Sequence, residues 1–463
     1  MTQIEGPTYD TGALTTGIVH FGVGNFHRSH QAMYLDRLLE AGGAEDWAIC
    51  GVGLFPGDRA MRDDLAAQDF RYTLVLRDSR RPLEARTIGS IVELLYAPDE
   101  PDAVVERMAA PETRIVSLTI TEGGYGEHPA EDGTPSAFDY VVDALAVRRE
   151  RGTPPFTVVS CDNIEGNGHV ARRSVLGHAR ARGGDLADWI EKNVEFPASM
   201  VDRITPVTTD DDRAMVRDEL GVEDRRPVVG EPFVQWVLED RFTDGRPDLE
   251  SVGVQLVDDV VPYERMKLRI LNATHQLLGH TGLLAGHTYV HEAVTDPVLG
   301  RLAAAYIADE AAPTVGEVEG IDLADYGATI VDRFGNEAIA DTLVRIVTDA
   351  SDRVLAFVVP VVEDLVERDL PVRATAFVLA AFATVSATDT HREAVSDRQR
   401  GRLDEAVARL RADTGTFLDD ETLFARIGAD DRFRAAFVAA HEAIAADGVV
   451  AAAQALLDGS DDA

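Results

Sequence analysis

The stretch Gly17-Ile-Val-His-Phe21-Gly22-Val-Gly24-Asn25-Phe26-His27-Arg28 decides the fold. A short apolar run ends in two glycines, and a helical pattern over 29–39 follows. This is the strand, tight turn and helix that a dinucleotide needs: glycines let the backbone turn and approach a pyrophosphate, and the helix offers amide N–H groups to its charge. The third glycine of the usual pattern is replaced by His27, which holds the helix further from the strand. Arg28 is expected to place a fixed positive charge near the phosphates. The same residues also allow a purely structural glycine turn.

Working outward, the apolar runs 47–54, 114–121 and 156–160 read as further strands with helical segments between them, the pattern of a parallel sheet buried on both faces. Beyond Val254-Gln-Leu-Val257 the character changes. From Pro262 onward the periodicity is helical, with breaks expected at Gly282, Gly286, Pro297, Pro360 and Pro371. The predicted architecture is α/β, a Rossmann-like domain over 1–258 followed by a mainly helical substrate and catalytic domain over 259–463. Asp58 lies just past the second strand, where a carboxylate accepts from both adenosine ribose hydroxyls and repels a 2′-phosphate, so NAD is favoured over NADP. A solvated Pro-Gly turn is the other reading of Asp58.

The chain holds two lysines among 44 basic residues, so arginine has replaced lysine almost everywhere. Lys267 opens the run Lys267-Leu-Arg-Ile-Leu-Asn272-Ala-Thr-His275. A lysine kept there points to a task arginine cannot do, the loss of a proton; a leftover surface residue, like Lys192 in Glu191-Lys192-Asn193, is the other reading. On a helix Lys267, His275 and Asn272 fall at about 0°, 80° and 140°, on one side. Pro262 suits the first turn of that helix and Gly279 or Gly282 its end. Glu264, three residues before Lys267, is placed to pass a proton outward. A second polar cluster, Cys161-Asp162-Asn163-Ile-Glu-Gly-Asn167-Gly168, follows the fourth strand at the carboxyl edge of the sheet, where ligands bind. Asparagine is a neutral donor suited to a developing alkoxide, so Asn163 and Asn272 are the candidate pair. Asn163 as a turn residue bonding its own backbone is the alternative.

The net charge of −37 is spread along the whole length. A field of that sign repels phosphate, which argues against nucleic acid as a partner, and a carboxylate-rich, lysine-poor surface suits concentrated salt, so a halophilic protein is expected, with a GC-rich genome favouring arginine and alanine as the other reading. The longest apolar run, 354–362, is far short of the roughly 20 residues needed to span a bilayer, and no secretory signal is visible, so the expectation is a cytoplasmic protein away from membranes. Cys50 and Cys161 are too few for a disulfide framework or metal cluster and are expected to be buried thiols.

Gly22 to His30, Thr119-Ile-Thr-Glu-Gly-Gly124, Cys161-Asp-Asn163, Glu231-Pro-Phe-Val-Gln-Trp236 and the Lys267/Asn272/His275 helix, in this order, resemble the polyol-specific long-chain dehydrogenases, closest to the mannitol 2-dehydrogenase branch. The resemblance runs over nearly the whole chain. It implies a zinc-free, NAD-dependent oxidation of a secondary alcohol, with D-mannitol and D-fructose as the expected pair. Lys267 matches the family's general base, Asn163 and Asn272 its oxyanion pair, and His275 its substrate-orienting histidine. Val201-Asp202-Arg203 resembles the segment beside the nicotinamide, and Arg345 an arginine that grips substrate hydroxyls. Arg353 stands where the family usually carries lysine, a departure that bears on substrate identity or follows equally from the chain's general loss of lysine; two arginines near the site make a fructuronate or tagaturonate reductase the alternative substrate reading. Arg345 and Arg353, eight residues apart, are expected to lie about 80° apart on one helix and face the sugar. A catalytically idle dinucleotide-binding regulator is the remaining alternative, and a monomer is the expected assembly.

Overall fold

The computed structural model describes residues 4–459. Its chain divides into two compact units, Met1–Glu264 and Arg265–Ala463. The division falls inside the helix Val261–Met266, a few residues after the boundary expected at Asp258-Asp259.

The first unit is built on five strands, β1 (Thr16–Phe21), β2 (Ala48–Gly53), β3 (Ile91–Tyr96), β4 (Ile115–Leu118) and β5 (Thr157–Ser160). All pair in parallel, in the order β3-β2-β1-β4-β5. Every residue of β1, β2, β4 and β5 is buried, because helices cover both faces, and this is why these strands read as unbroken apolar runs. Alternation sorts their side chains. Ile18, Ile49, Ile115 and Val159 join Met33, Leu35 and Leu38 on one face, while Phe21, Val52, Val116 and Val158 join Phe138, Val141 and Val175 on the other. Each fully buried Phe or Val contributes about 1.5–3 kcal/mol.

The strand order reverses between β1 and β4, and the crevice at their carboxyl ends is where an open parallel sheet takes a ligand. The helix after β1 is interrupted: Asn25–Ser29 (α1) ends at His30 (φ −120°, ψ −91°), and Gln31–Ala41 (α2) follows. β3 and two small three-stranded sheets were not expected. One joins Tyr72–Leu76 with Glu84–Ile88 and Val228–Gly230, the other Gln235–Glu239 with Ser199–Asp202 and Gln255–Val257.

The second unit is helical. Arg373–Ala387 is buried almost all round, and its alanines let it pack against Asp431–Asp447. The helix Ala273–Ala285 runs past both expected stops and ends at Gly286 in the left-handed region (φ 86°). Gly279 and Gly282 lie inside it, because both are packing surfaces: a β-carbon would stand 2.6 Å from Val347 at the first and 2.8 Å from Leu343 at the second. Among the described residues no helix is long and apolar enough to cross a membrane.

Candidate functional site

Each unit carries candidate residues, and each set has its own local cause.

In the first unit the turn after β1 is fixed by Gly22, whose φ of 94° favours glycine. A β-carbon there would sit 2.1 Å from the Thr119 carbonyl oxygen, so no other residue fits. Thr119 Oγ1 donates to the Gly22 carbonyl at 2.7 Å, and the Gly22 amide donates to the Val52 carbonyl, tying the turn to β4 and β2. At Gly24 the reverse holds. A β-carbon would meet nothing nearer than 3.9 Å, which leaves the backbone open to a ligand that approaches closely.

His27 does take the place of a glycine, and its ring stacks on His20 of β1 with centroids 3.4 Å apart. Burial, and then the neighbouring His20, hold its pKa well below the usual histidine value; burial, opposed by the bond to the Gly22 carbonyl, takes His20 down to about 3. Both rings are neutral wedges between helix and strand. His20 Nε2 lies 2.9 Å from Thr119 Oγ1, so the pair also steadies the residue that pins Gly22. Asn25 donates to the Pro206 carbonyl and to Thr208 Oγ1, and Phe26 stacks on His30.

Arg28 is 1% exposed, bonded to the Arg226 carbonyl and to Asn25 Oδ1 and seated over the Tyr72 ring. Tyr72 lies 44 residues and Arg226 198 residues away in the chain, beyond the reach of local pattern. Asp58 stands just past β2 as expected, and its Oδ2 accepts from the Leu54 and Phe55 amides at 2.8 and 2.9 Å, capping the helix Pro56–Ala66. Val201 and Asp202 are buried in Ser199–Asp202, paired with Trp236 and Gln235.

Asn163 is exposed on the loop after β5, and the loop is held from below. The Asp162 carboxylate accepts from the Ile120 and Thr121 amides and from the Tyr125 hydroxyl. Asn167 Nδ2 donates to the carbonyls of Asp162 and Ser199, and its Oδ1 accepts from the Ser199 amide. Glu264 reaches the same loop, accepting from the Gly166 amide at 3.0 Å. Burial pushes its carboxyl up to about 7; the Gly166 amide opposes this, and Glu165 and Glu239 add to it. A carboxyl there is poised to exchange a proton near neutrality.

In the second unit the helix carrying Lys267 is not regular. Lys267–Asn272 forms a wide π turn, in which the Ala273 amide donates to the Leu268 carbonyl five residues back. In such a turn residues five apart stand one above the other, as residues four apart do in an α-helix. Lys267 and Asn272 are brought into register rather than splayed by the expected 140°. Both are buried, at 5% and 9% exposure. His275 stacks on Phe334 with centroids 4.1 Å apart. Burial of the ring, then the charges of Arg345, Arg333, Arg353 and Lys267, hold its pKa well below the usual histidine value.

Arg345 and Arg353 do not share a helix. Arg345 sits on Leu343–Ile346 and Arg353 on Ala350–Arg353, separated by Asp349 in the left-handed region (φ 52°). The Asp341 carboxylate receives Arg345 through Nε at 2.5 Å and through Nη2. Arg353 Nη1 donates to the carbonyls of Ile346 and Arg345. Thr119, His20, Asp162, Asn167 and Asp341 were not singled out from sequence for these supporting roles. Only the motif positions of Thr119, Asp162 and Asn167 offered a signal.

Two family models cover most of the chain: the mannitol dehydrogenase Rossmann domain matches residues 16–251 and the mannitol dehydrogenase C-terminal domain residues 259–445. The mannitol 2-dehydrogenase of Aspergillus terreus is 41% identical over 97% of this chain and 94% of its own length. The solved ternary complex of Pseudomonas fluorescens mannitol 2-dehydrogenase with NAD and D-mannitol superposes with a TM-score of 0.89 at 40% identity, covering 99% of this chain and 97% of that one. A D-sorbitol dehydrogenase structure matches with a TM-score of 0.87 at 35% identity, over 98% of each chain. Two glycines at the end of β1, a lysine and an asparagine in register on a wide helical turn, and these similarities lead to one conclusion: the chain belongs to the mannitol dehydrogenase family.

Proposed function

We propose that this protein is an NAD-dependent oxidoreductase that interconverts D-mannitol and D-fructose, with Lys267 as general base. The observation that carries the reading is Lys267 itself: one of two lysines in the chain, buried, and in register with Asn272. A buried lysine can shed its proton near neutrality, whereas an arginine cannot.

The turn at Gly22 and Gly24 fits a dinucleotide, since the first glycine admits no side chain and the second leaves open space. Gly22, Gly24, Asn25 and Asp58 would hold NAD, with Val201 and Asp202 toward the nicotinamide. Bound NAD supplies the acceptor for the hydride leaving the alcohol carbon.

The remaining work belongs to side chains. Lys267 takes the hydroxyl proton, and the amides of Asn272 and Asn163 donate to the oxygen as its charge grows. His275, kept neutral, orients a substrate hydroxyl through its ring nitrogens. Glu264 passes the proton outward. In the reverse direction the Lys267 ammonium is the acid. Arg345 grips the distal hydroxyls, while Asp341 offsets its charge and leaves it a hydrogen-bond donor for a neutral polyol. The assembly proposed is a cytoplasmic monomer.

The three arginines whose charges reach His275 favour one second reading, reduction of a keto-sugar acid. Initial rates with NAD and D-mannitol, D-sorbitol, D-arabinitol or fructuronate discriminate: the proposal requires D-mannitol to have the highest kcat/KM, and a preference for the carboxylated sugar overturns it.

A further inference from the structure

We propose that Arg353 and Gln276 are positioning residues that lock the short turn carrying Arg345, so that polyol specificity is set from behind the residue that meets the sugar. The inference rests on the reading that Arg345 contacts the polyol.

Leu343–Ile346 is a single helical turn of four residues, too short to hold itself. Its N-terminal end is closed by Thr342, whose side chain accepts from the Arg345 amide, and Asp341 clamps the Arg345 guanidinium. Its C-terminal end leaves carbonyls without partners in the turn. Arg353 Nη1 supplies them with donors, 2.6 Å from the Ile346 oxygen and 3.2 Å from the Arg345 oxygen. Gln276 Nε2 donates to the same Ile346 oxygen at 3.1 Å from a buried position. Gln276 follows His275 on its helix, so one carbonyl ties the Arg345 turn to the helix that carries the orienting histidine.

The apolar packing agrees. Gly279 and Gly282, one turn and nearly two turns further along that helix, give Val347 and Leu343 room to seat directly on its backbone. Beyond the turn the chain leaves through Asp349, a non-glycine residue at φ 52°, so no continuing helix fixes the turn from the far side. The guanidinium of Arg353 fills that role. A lysine there, with a compact ammonium on a shorter side chain, would reach these two carbonyls differently from Arg353 Nη1, which is why the arginine at this position bears on specificity.

The test is a set of double-mutant cycles read as Michaelis constants. Arg353→Met and Gln276→Leu should each raise KM for D-mannitol by about tenfold, the scale of one lost hydrogen bond to a buried carbonyl, with KM for NAD unchanged. Arg353→Lys should recover part of that loss. In an Arg345→Ala background neither change should raise KM further, because both act only through Arg345. If the losses multiply in that background, Arg353 or Gln276 meets the substrate itself and the proposal falls. An unchanged KM in both single variants also overturns it. If Arg345→Ala alone leaves KM for D-mannitol intact, the reading of Arg345 fails instead. Should Gln276→Leu not fold, Arg353→Met and Arg353→Lys carry the cycle.

Discussion

Replacing Glu264 by Gln should stabilise the protein, and more so as the pH rises. Glu264 is 4% exposed and its carboxyl is pushed up to about 7, from 4.5 for the free group, chiefly by burial. A carboxyl whose pKa is raised by folding adds nothing at low pH, where both states hold the proton. Between the two values the unfolded chain ionises first, and folding loses stability with each step of pH until the folded group ionises as well. At about 1.36 kcal/mol per unit, the charged form should cost the fold about 1 kcal/mol near pH 5.5 and about 3 kcal/mol near pH 8.5. Glu264→Gln keeps an oxygen to accept from the Gly166 amide and removes the ionisation. Urea unfolding of both proteins in ~1 M KCl, where surface charge is screened, measures the gap. The variant's advantage should widen by about 2 kcal/mol across that range. A gap independent of pH refutes the raised pKa, and with it the picture of Glu264 as a group that trades protons near neutrality.

Other perturbations follow from the same geometry. Asn272→Ala or Asn163→Ala should lower kcat by about 10²-fold or more if the amides hold the growing charge, and steady-state rates showing a change confined to KM would make them binders instead. Asp58→Ala should raise kcat/KM with NADP relative to NAD, at a cost of about 1 kcal/mol from the lost helix cap; an unchanged cofactor ratio places Asp58 outside the ribose site. With a net charge of −37, raising KCl from about 0.1 M to about 1 M shortens the screening length from ~10 Å to ~3 Å, so Tm should climb; a flat Tm assigns the charge to composition rather than to salt.

What sequence could and could not reveal follows from the range of the forces involved. β1, β2, β4 and β5 were legible because burial on both faces demands unbroken apolar runs, and Gly22 because its φ of 94° admits little else. Glu84–Ile88 and the three-residue strands Val228–Gly230 and Gln255–Val257 carry too short or too polar a pattern to announce pairing. The wide turn at Lys267–Asn272 was illegible for a different reason: one extra residue in a helical turn leaves no mark on apolar periodicity, yet it moves Asn272 into register with Lys267. Arg345 and Arg353 were placed on one helix because nothing between them is glycine or proline, while Asp349 breaks the helix in the left-handed region. The burial of Arg28 depends on partners distant in the chain, as does the anchoring of the loop that carries Asn163, where Tyr125 bonds Asp162 and Ser199 bonds Asn167.

Base catalysis by the buried Lys267 on a polyol underlies the proposed NAD-dependent reaction. Its most direct test is the pre-steady-state rate of D-fructose and NADH formation from D-mannitol and NAD by the intact protein and by Lys267→Ala, alongside NAD affinity measured by fluorescence. NAD-dependent turnover of D-mannitol should fall by about 10² to 10⁴ in the variant while NAD binding stays within about twofold. Near-native turnover in Lys267→Ala would contradict it.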